Sequence, residues 1–301
     1  MSRVLLGLAV GLAVAVGGGS AQAGPLPVPP TFFAGIGPEL VNPGGDLPGV
    51  NEWDCEPSVA HPNPVVLVHG QAGGAQTNWG ALAPRLKNEG YCVYALTYGA
   101  LPGSQWPVSA LGGLAPMEDS AAELASFVDR VRAASGAQKV DLVGHSEGTL
   151  MPNYYVQNLG GAEKVDRYVS LAPEWLGGGP RAEDPFADLT GPDGQLLCVA
   201  CAQQDNGSEF LNRMHERGLY AAGVTYTNIM TRYDELVTPY TNGYAPGPNA
   251  TNIVVQDECA QDFSDHLAVA ASVRSQRYVL NALDPAHAQP VPCVLVLPVL
   301  G

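Results

Sequence analysis

Residues 140–143, Val-Asp-Leu-Val, read as a buried strand and run directly into Gly144-His145-Ser146-Glu147-Gly148. After that pentapeptide, Leu150, Tyr154 and Leu159 recur at helical spacing until Gly160-Gly161 ends the run. A strand that turns sharply into a helix needs residues without Cβ atoms around the turn, and Gly144 and Gly148 meet that need. Such a turn presents Ser146 at the edge of a sheet. Pro152, close to the start of the helix, is expected to kink it. A bare Gly-x-Ser-x-Gly arises often by chance; the strand before it and the helix after it give it meaning.

The neighbouring sequence extends this unit into a layered domain. Val65-Val66-Leu67-Val68 is a short apolar run that stops at His69-Gly70, and residues 91–98 form a second run rich in β-branched and aromatic residues. Between them, residues 78–89 carry Trp79, Leu82 and Leu86 at helical spacing and end at Gly90. A longer helix is predicted over residues 117–134, where Ala121, Leu124, Val128 and Val131 form an apolar stripe. Strand-like runs follow at 168–171, 226–230 and 253–255. Strand alternating with helix predicts an α/β class domain, with a mostly parallel central sheet flanked by helices on both faces. Residues 174–223 show no strand and form a candidate cap insertion, while residues 24–54, rich in Pro and Gly, read as an extended N-terminal arm. One domain over residues 55–301 is expected, without internal repeats.

At the N-terminus, Arg3 precedes an uncharged apolar run over residues 4–16, followed by Ala21-Gln22-Ala23. This is the layout of a cleavable signal peptide over residues 1–23, so the mature chain is expected outside the cell. The run is too short to anchor the chain in a bilayer, which takes about 20 apolar residues. Loss of Arg3 changes the formal charge from −15 to −16, with 13 basic against 29 acidic residues remaining. Such a surface repels phosphate backbones and argues against nucleic acid as a partner. Six cysteines, Cys55, Cys92, Cys198, Cys201, Cys259 and Cys293, follow the signal, and an even number in an exported chain points to disulfides. Cysteine count alone leaves fifteen connectivities. Cys198-x-x-Cys201 has no second pair and no His at ligand spacing, so no metal is expected.

A serine hydroxyl becomes a nucleophile when an imidazole takes its proton and a carboxylate orients the imidazole. In sheets with this nucleophile elbow, the α/β hydrolases, the chain order is Ser, acid, His. His287 lies in a turn-like tail and His215 precedes the best acid, which leaves His266 as the base. Asp234 directly follows the strand-like stretch 226–233, whereas Asp257 sits close before His266; Asp234 is the preferred acid. Negative charge developing on an ester oxygen calls for two backbone N–H donors. Glu147 and Gln71, the latter in His69-Gly70-Gln71-Ala72-Gly73-Gly74, are the candidates. No Lys-Ser/Thr follows these glycines as a phosphate-binding loop requires, and no Gly-x-Gly-x-x-Gly is present.

Asn63-Pro64-Val65-Val66-Leu67-Val68-His69-Gly70, Gly90-Tyr91-Cys92-Val93, the Ser146 pentapeptide, Thr231-Arg232-Tyr233-Asp234-Glu235-Leu236-Val237-Thr238-Pro239-Tyr240 and Asp265-His266-Leu267 together resemble the secreted actinobacterial lipases of class 2. The resemblance spans Trp53 to Cys293 and implies an α/β-hydrolase fold that cleaves fatty acyl esters without a cofactor. It places the nucleophile on Ser146, the acid on Asp234, the base on His266 and the oxyanion donors on Gln71 and Glu147. It also implies the disulfides Cys55 to Cys92, Cys198 to Cys201 and Cys259 to Cys293. Two stretches depart from the family pattern. Glu147 and Thr149 stand where Gln and Gly are usual, and Pro173-Glu174-Trp175-Leu176-Gly177 replaces a more polar stretch containing His. A carboxylate beside a forming oxyanion opposes its charge, so the Glu147 side chain is expected to bond to a neighbour while its backbone N–H acts.

Trp175, Leu176, Phe186, Leu189 and Phe210 are candidates for contact with an acyl chain, with the insertion's own core as their ordinary role. The expected partner is an ester or lipid substrate and the expected state a monomer. A polyester or cutin-type esterase and an acyltransferase use the same three side chains, and a non-catalytic binding protein can keep the fold. Polymer hydrolysis, transfer to an added alcohol and covalent labelling of Ser146 separate these readings.

Overall fold

The structure is a computed structural model that describes residues 24–178 and 197–300. Six strands form one parallel sheet: β1 (Val65–Val68), β2 (Val93–Leu96), β3 (Val140–His145), β4 (Val165–Leu171), β5 (Thr225–Met230) and β6 (Ala250–Val254). Their order across the sheet is β2-β1-β3-β4-β5-β6. Every residue of β1 and β3 is buried, as strands covered on both faces require. The edge strand β6 stays partly accessible.

Strand alternation sends successive side chains to opposite faces and so builds two cores. Val66, Val68 and Leu142 pack with α3 (Met117–Ser135) and α4 (Glu147–Asn158). Val65, Leu67 and Val143 pack with α2 (Leu82–Asn88) and α5 (Val273–Leu283). Helices therefore cover both faces, as the alternation of elements predicted. Local boundaries differ: residues 78–81 form turns ahead of α2, and the run at 91–98 shortens to β2. α4 continues through Pro152 to Asn158.

The segment 24–54, expected to be extended, contains a 3₁₀ turn at Phe32–Gly35 and the short helix α1 (Ile36–Val41). No apolar period announced it, because backbone contact holds it more than an amphipathic stripe does. A Cβ on Gly35 would lie 1.9 Å from the Gln76 carbonyl oxygen, and one on Gly80 would lie 2.2 Å from the Gly35 nitrogen. Gln76 Nε2 locks this contact by donating to Glu39 Oε2 at 2.7 Å and to the Asn42 carbonyl at 2.9 Å. Farther along, Leu47 and Val50 are buried, and the Asn51 side chain bonds the N–H and carbonyl of Ala95 at 3.0 and 2.9 Å. This covers part of the outer edge of β2.

The three disulfides join Cys55 to Cys92, Cys198 to Cys201 and Cys259 to Cys293, the pairing the resemblance implied. The expected signal peptide, residues 1–23, lies outside the described residues. Among the described residues, no helix is long and apolar enough to cross a membrane.

Candidate active site

A cavity of about 430 Å³ opens beyond the carboxyl ends of the strands, where parallel α/β sheets commonly hold ligands. Ser146, on its wall, has φ 56° and ψ −127°, a left-handed conformation that a residue with a side chain adopts only when its surroundings impose it. The surroundings do so by close backbone approach. A Cβ on Gly144 would lie 1.9 Å from the Gly148 oxygen, and one on Gly148 would lie 2.1 Å from the Val68 oxygen. The Ser146 N–H donates to the Leu171 carbonyl at 3.0 Å, while the Thr149 hydroxyl donates to the Ser146 carbonyl at 2.7 Å.

His266, in the loop after β6, places Nε2 2.8 Å from Ser146 Oγ. Its Nδ1 is 2.8 Å from Asp234 Oδ1, just beyond β5. Asp234 Oδ1 also accepts the N–H groups of Val237 at 2.7 Å and Leu236 at 3.1 Å. Burial alone would raise Asp234, but His266 and these N–H donors hold it below the usual carboxylate range. Burial likewise opposes charge on His266; the attraction and hydrogen bond of Asp234 outweigh it, aided by Glu174 and Glu235, and raise its pKa to about 9. The loop is pinned at its backbone: His145 Nε2–H donates to the His266 carbonyl at 2.9 Å, and Glu235 Oε2 accepts the His266 N–H at 3.1 Å. Burial pushes the His145 pKa down to about 3, so this support stays neutral.

The alternative residues lie elsewhere. Asp257 pairs with Arg232 at the surface, His215 bonds to the Trp175 carbonyl at 2.7 Å, and exposed His287 pairs with Asp284. The structure thus brings Ser146, Asp234 and His266 together in one hydrogen-bonded row. Gln71 lines the same cavity, and its Oε1 accepts from Gln204 Nε2 at 2.8 Å. Glu147 opens α4 and is buried, with its carboxylate 3.3 Å from both the Tyr98 hydroxyl and Gln204 Nε2. The Tyr98 hydroxyl also donates to the His69 carbonyl at 2.8 Å, so Glu147 shares that donor.

Two features of the cavity escaped the reading of the sequence. Phe32, Phe33 and Ile36 line it from the N-terminal segment. Glu174 reaches Ser146 Oγ at 2.9 Å; it lies in a stretch flagged only as a departure from the family pattern. Of the residues proposed for contact with an acyl chain, Trp175 and Phe210 are buried core residues and Leu176 is exposed, and none of these three lines the cavity. Phe186 and Leu189 lie outside the described residues. From the candidate cap, Glu174, Gly178, Cys201, Gln204 and Asp205 do line it.

A family model described as "Lipase (class 2)" matches residues 62–278. The chain belongs to the class 2 lipases. The row of Asp234, His266 and Ser146 falls inside the matched region, whereas the apolar wall at residues 32–36 falls outside it. Over 96 residues it is 31% identical to a triacylglycerol lipase of Pseudarthrobacter phenanthrenivorans, covering 30% of this chain and 27% of the relative. A triacylglycerol lipase of Burkholderia plantarii is 31% identical over 96 residues, covering 30% of this chain and 24% of the relative. The match thus spans about a quarter of the length of these curated relatives. Among solved structures, Aspergillus fumigatus lipase B superposes with a TM-score of 0.61 at 20% identity, over 76% of this chain and 53% of that one. Mature Bacillus licheniformis lipase BlEst2 does so with a TM-score of 0.56 at 17% identity, over 76% and 94%. The chain therefore has an α/β-hydrolase fold.

Proposed function

We propose that this lipase is an exported serine hydrolase that cleaves carboxylic esters of fatty acids, acylglycerols among them, through an acyl-enzyme on Ser146. The observation that carries the reading is the row Asp234 to His266 to Ser146, linked at 2.8 and 2.8 Å and opening on a largely apolar cavity. In this mechanism Ser146 Oγ attacks the ester carbonyl while His266 Nε2 takes its proton. Asp234 keeps Nδ1–H directed at itself and stabilises the imidazolium that forms. The backbone N–H groups of Gln71 and Glu147 receive the oxyanion, and the position of Glu147 at the start of α4 adds the positive end of the helix dipole. His266 returns its proton to the departing alcohol, and water then repeats the sequence to release the fatty acid. Phe32, Phe33, Ile36 and Leu111 form apolar wall against which an acyl chain packs.

A fluorescent alkylphosphonate tests the nucleophile. It should label Ser146 stoichiometrically, and Ser146→Ala should abolish labelling and lower kcat by about 10⁶. Labelling elsewhere, or hydrolysis that survives the substitution, refutes the mechanism.

A further inference from the structure

Among the described residues, Ser146 Oγ has two partners, His266 Nε2 at 2.8 Å and Glu174 Oε1 at 2.9 Å. A hydroxyl carries one proton and donates to one acceptor at a time. Glu174 is buried, at 3% exposure, and its placement is built into the end of β4. Ala172 turns the chain there with φ 47°, an uncommon conformation for a residue with a Cβ. The Glu174 N–H then donates to Thr149 Oγ1 at 3.3 Å, and that hydroxyl donates to the Ser146 carbonyl at 2.7 Å. The next residue is fixed as well, since Trp175 Nε1 donates to Asn228 Oδ1 at 3.0 Å. Thr149 and Glu174, two of the departures from the family pattern, therefore form one bonded unit that grips Ser146 by its carbonyl and by its hydroxyl.

We propose that Glu174 is a positioning residue that shares one proton with His266 across Ser146, and so sets the pH range in which Ser146 attacks an ester. The proposal rests on Ser146 being the nucleophile. Two arrangements carry the same net charge. In one, His266 is an imidazolium whose Nε2–H donates to Ser146 Oγ, while Ser146 donates to the Glu174 carboxylate; the imidazole then has no lone pair for the serine proton. In the other, the carboxyl O–H of Glu174 donates to Ser146 Oγ, and Ser146 donates to neutral His266, ready for attack. Passing from the first to the second moves one proton from Nε2 to Oγ and one from Oγ to Glu174, with nothing gained or lost. An acyl chain that displaces water makes separated charges costlier, so substrate favours the second arrangement.

Other groups facing this pair are Asp234 and Glu235 beyond β5, His145 at the end of β3, Glu147 at the start of α4, and Asp265 beside His266. His69 and Tyr98 stack behind the elbow, and Asp205 lines the cavity. Of these carboxylates, Asp234 bonds the far side of the His266 ring and Glu235 its backbone N–H; Glu174 is the one hydrogen-bonded to Ser146 Oγ.

The rate of alkylphosphonate labelling of Ser146 from pH 5 to 10 tests this in the wild type, Glu174→Gln and Glu174→Asp. The Gln variant should become reactive at lower pH. At pH 7 its rate, as a fraction of its own plateau, should be about tenfold higher than that of the wild type. The Asp variant, which keeps the charge, should stay close to the wild type. Normalised profiles that coincide for the wild type and Glu174→Gln overturn the proposal, because a merely structural role would change amplitude or melting temperature without moving the profile. Absence of labelling at any pH in all three proteins would instead refute the nucleophile itself. If Glu174→Gln does not fold, proton NMR titration of His266 in the wild type and in Glu174→Ala decides: a midpoint lowered by the substitution supports the shared proton, and equal midpoints overturn it, because Asp234 raises both alike.

Discussion

Two walls of the same cavity are built from different material. At the strand ends, Ser146, Asp234 and His266 are buried polar groups held by backbone N–H and carbonyl partners, with Ser146 and His266 exposed by only 7% and 1%. At residues 32–36 the wall is apolar and open, with Phe33 and Ile36 exposed by 39% and 42%. The first wall must aim lone pairs and protons to within a fraction of an ångström, which demands a rigid, fully bonded surround. The second, in the proposed function, need only exclude water and offer area to a hydrocarbon chain. The difference teaches that chemistry and chain selection, as proposed, are separable in this chain, with the first inside the family-matched region and the second partly outside it.

Substitutions in either wall can break that separation. After Ser146→Ala, the largest effect is expected from Asp234→Asn, which removes the acceptor that orients His266: kcat should fall by about 10⁴ on both short and long esters. A fall confined to one chain length would mean that the polar wall also selects substrate. Replacing Phe32 and Phe33 together with Ala should lower the ratio of kcat/KM for a dodecanoyl over a butanoyl ester by roughly 10- to 100-fold, judged from the worth of a few methylene contacts. Equal losses on both esters would erase the distinction. Gly35→Ala should have the smallest effect on turnover. Its new Cβ would meet the Gln76 oxygen at 1.9 Å, so the segment must shift, costing about 1–3 kcal/mol in urea unfolding and lowering the same long-to-short ratio by a few-fold. Unchanged stability would show that the 3₁₀ turn is not seated as described.

The pH response joins the two walls to the chemistry. With the His266 pKa raised to about 9, its ion pair with Asp234 contributes stability fully below about pH 6.5, and that contribution is lost as pH rises through about 9. Under the proposed mechanism turnover runs the other way, since only neutral His266 accepts the serine proton. Glu174 lies where these opposing demands meet.

What was legible in the sequence obeys short-range rules. The strand 140–143, the two glycines and the helical spacing after them identify the turn at Ser146, because steric exclusion around a Cβ acts between residues a few positions apart. The chain order required by that turn favoured Asp234 and His266 over Asp257, His215 and His287, and those two side chains meet Ser146 in the structure. The helix of 117–134 was equally plain from its apolar stripe. The segment 24–54 was not, for its seat is a contact between Gly35 and the backbone of Gln76 and Gly80, which leaves no period along the chain. Glu174 stood out only as an unusual residue. That its carboxylate ends 2.9 Å from Ser146 Oγ depends on the turn at Ala172, the pairing of β3 with β4 and the hydroxyl of Thr149 acting together. Sequence by itself determined which residues are proposed to carry the chemistry; tertiary structure alone decided which groups reach Ser146 Oγ and which apolar side chains line the cavity, because those depend on distances between residues far apart in the chain.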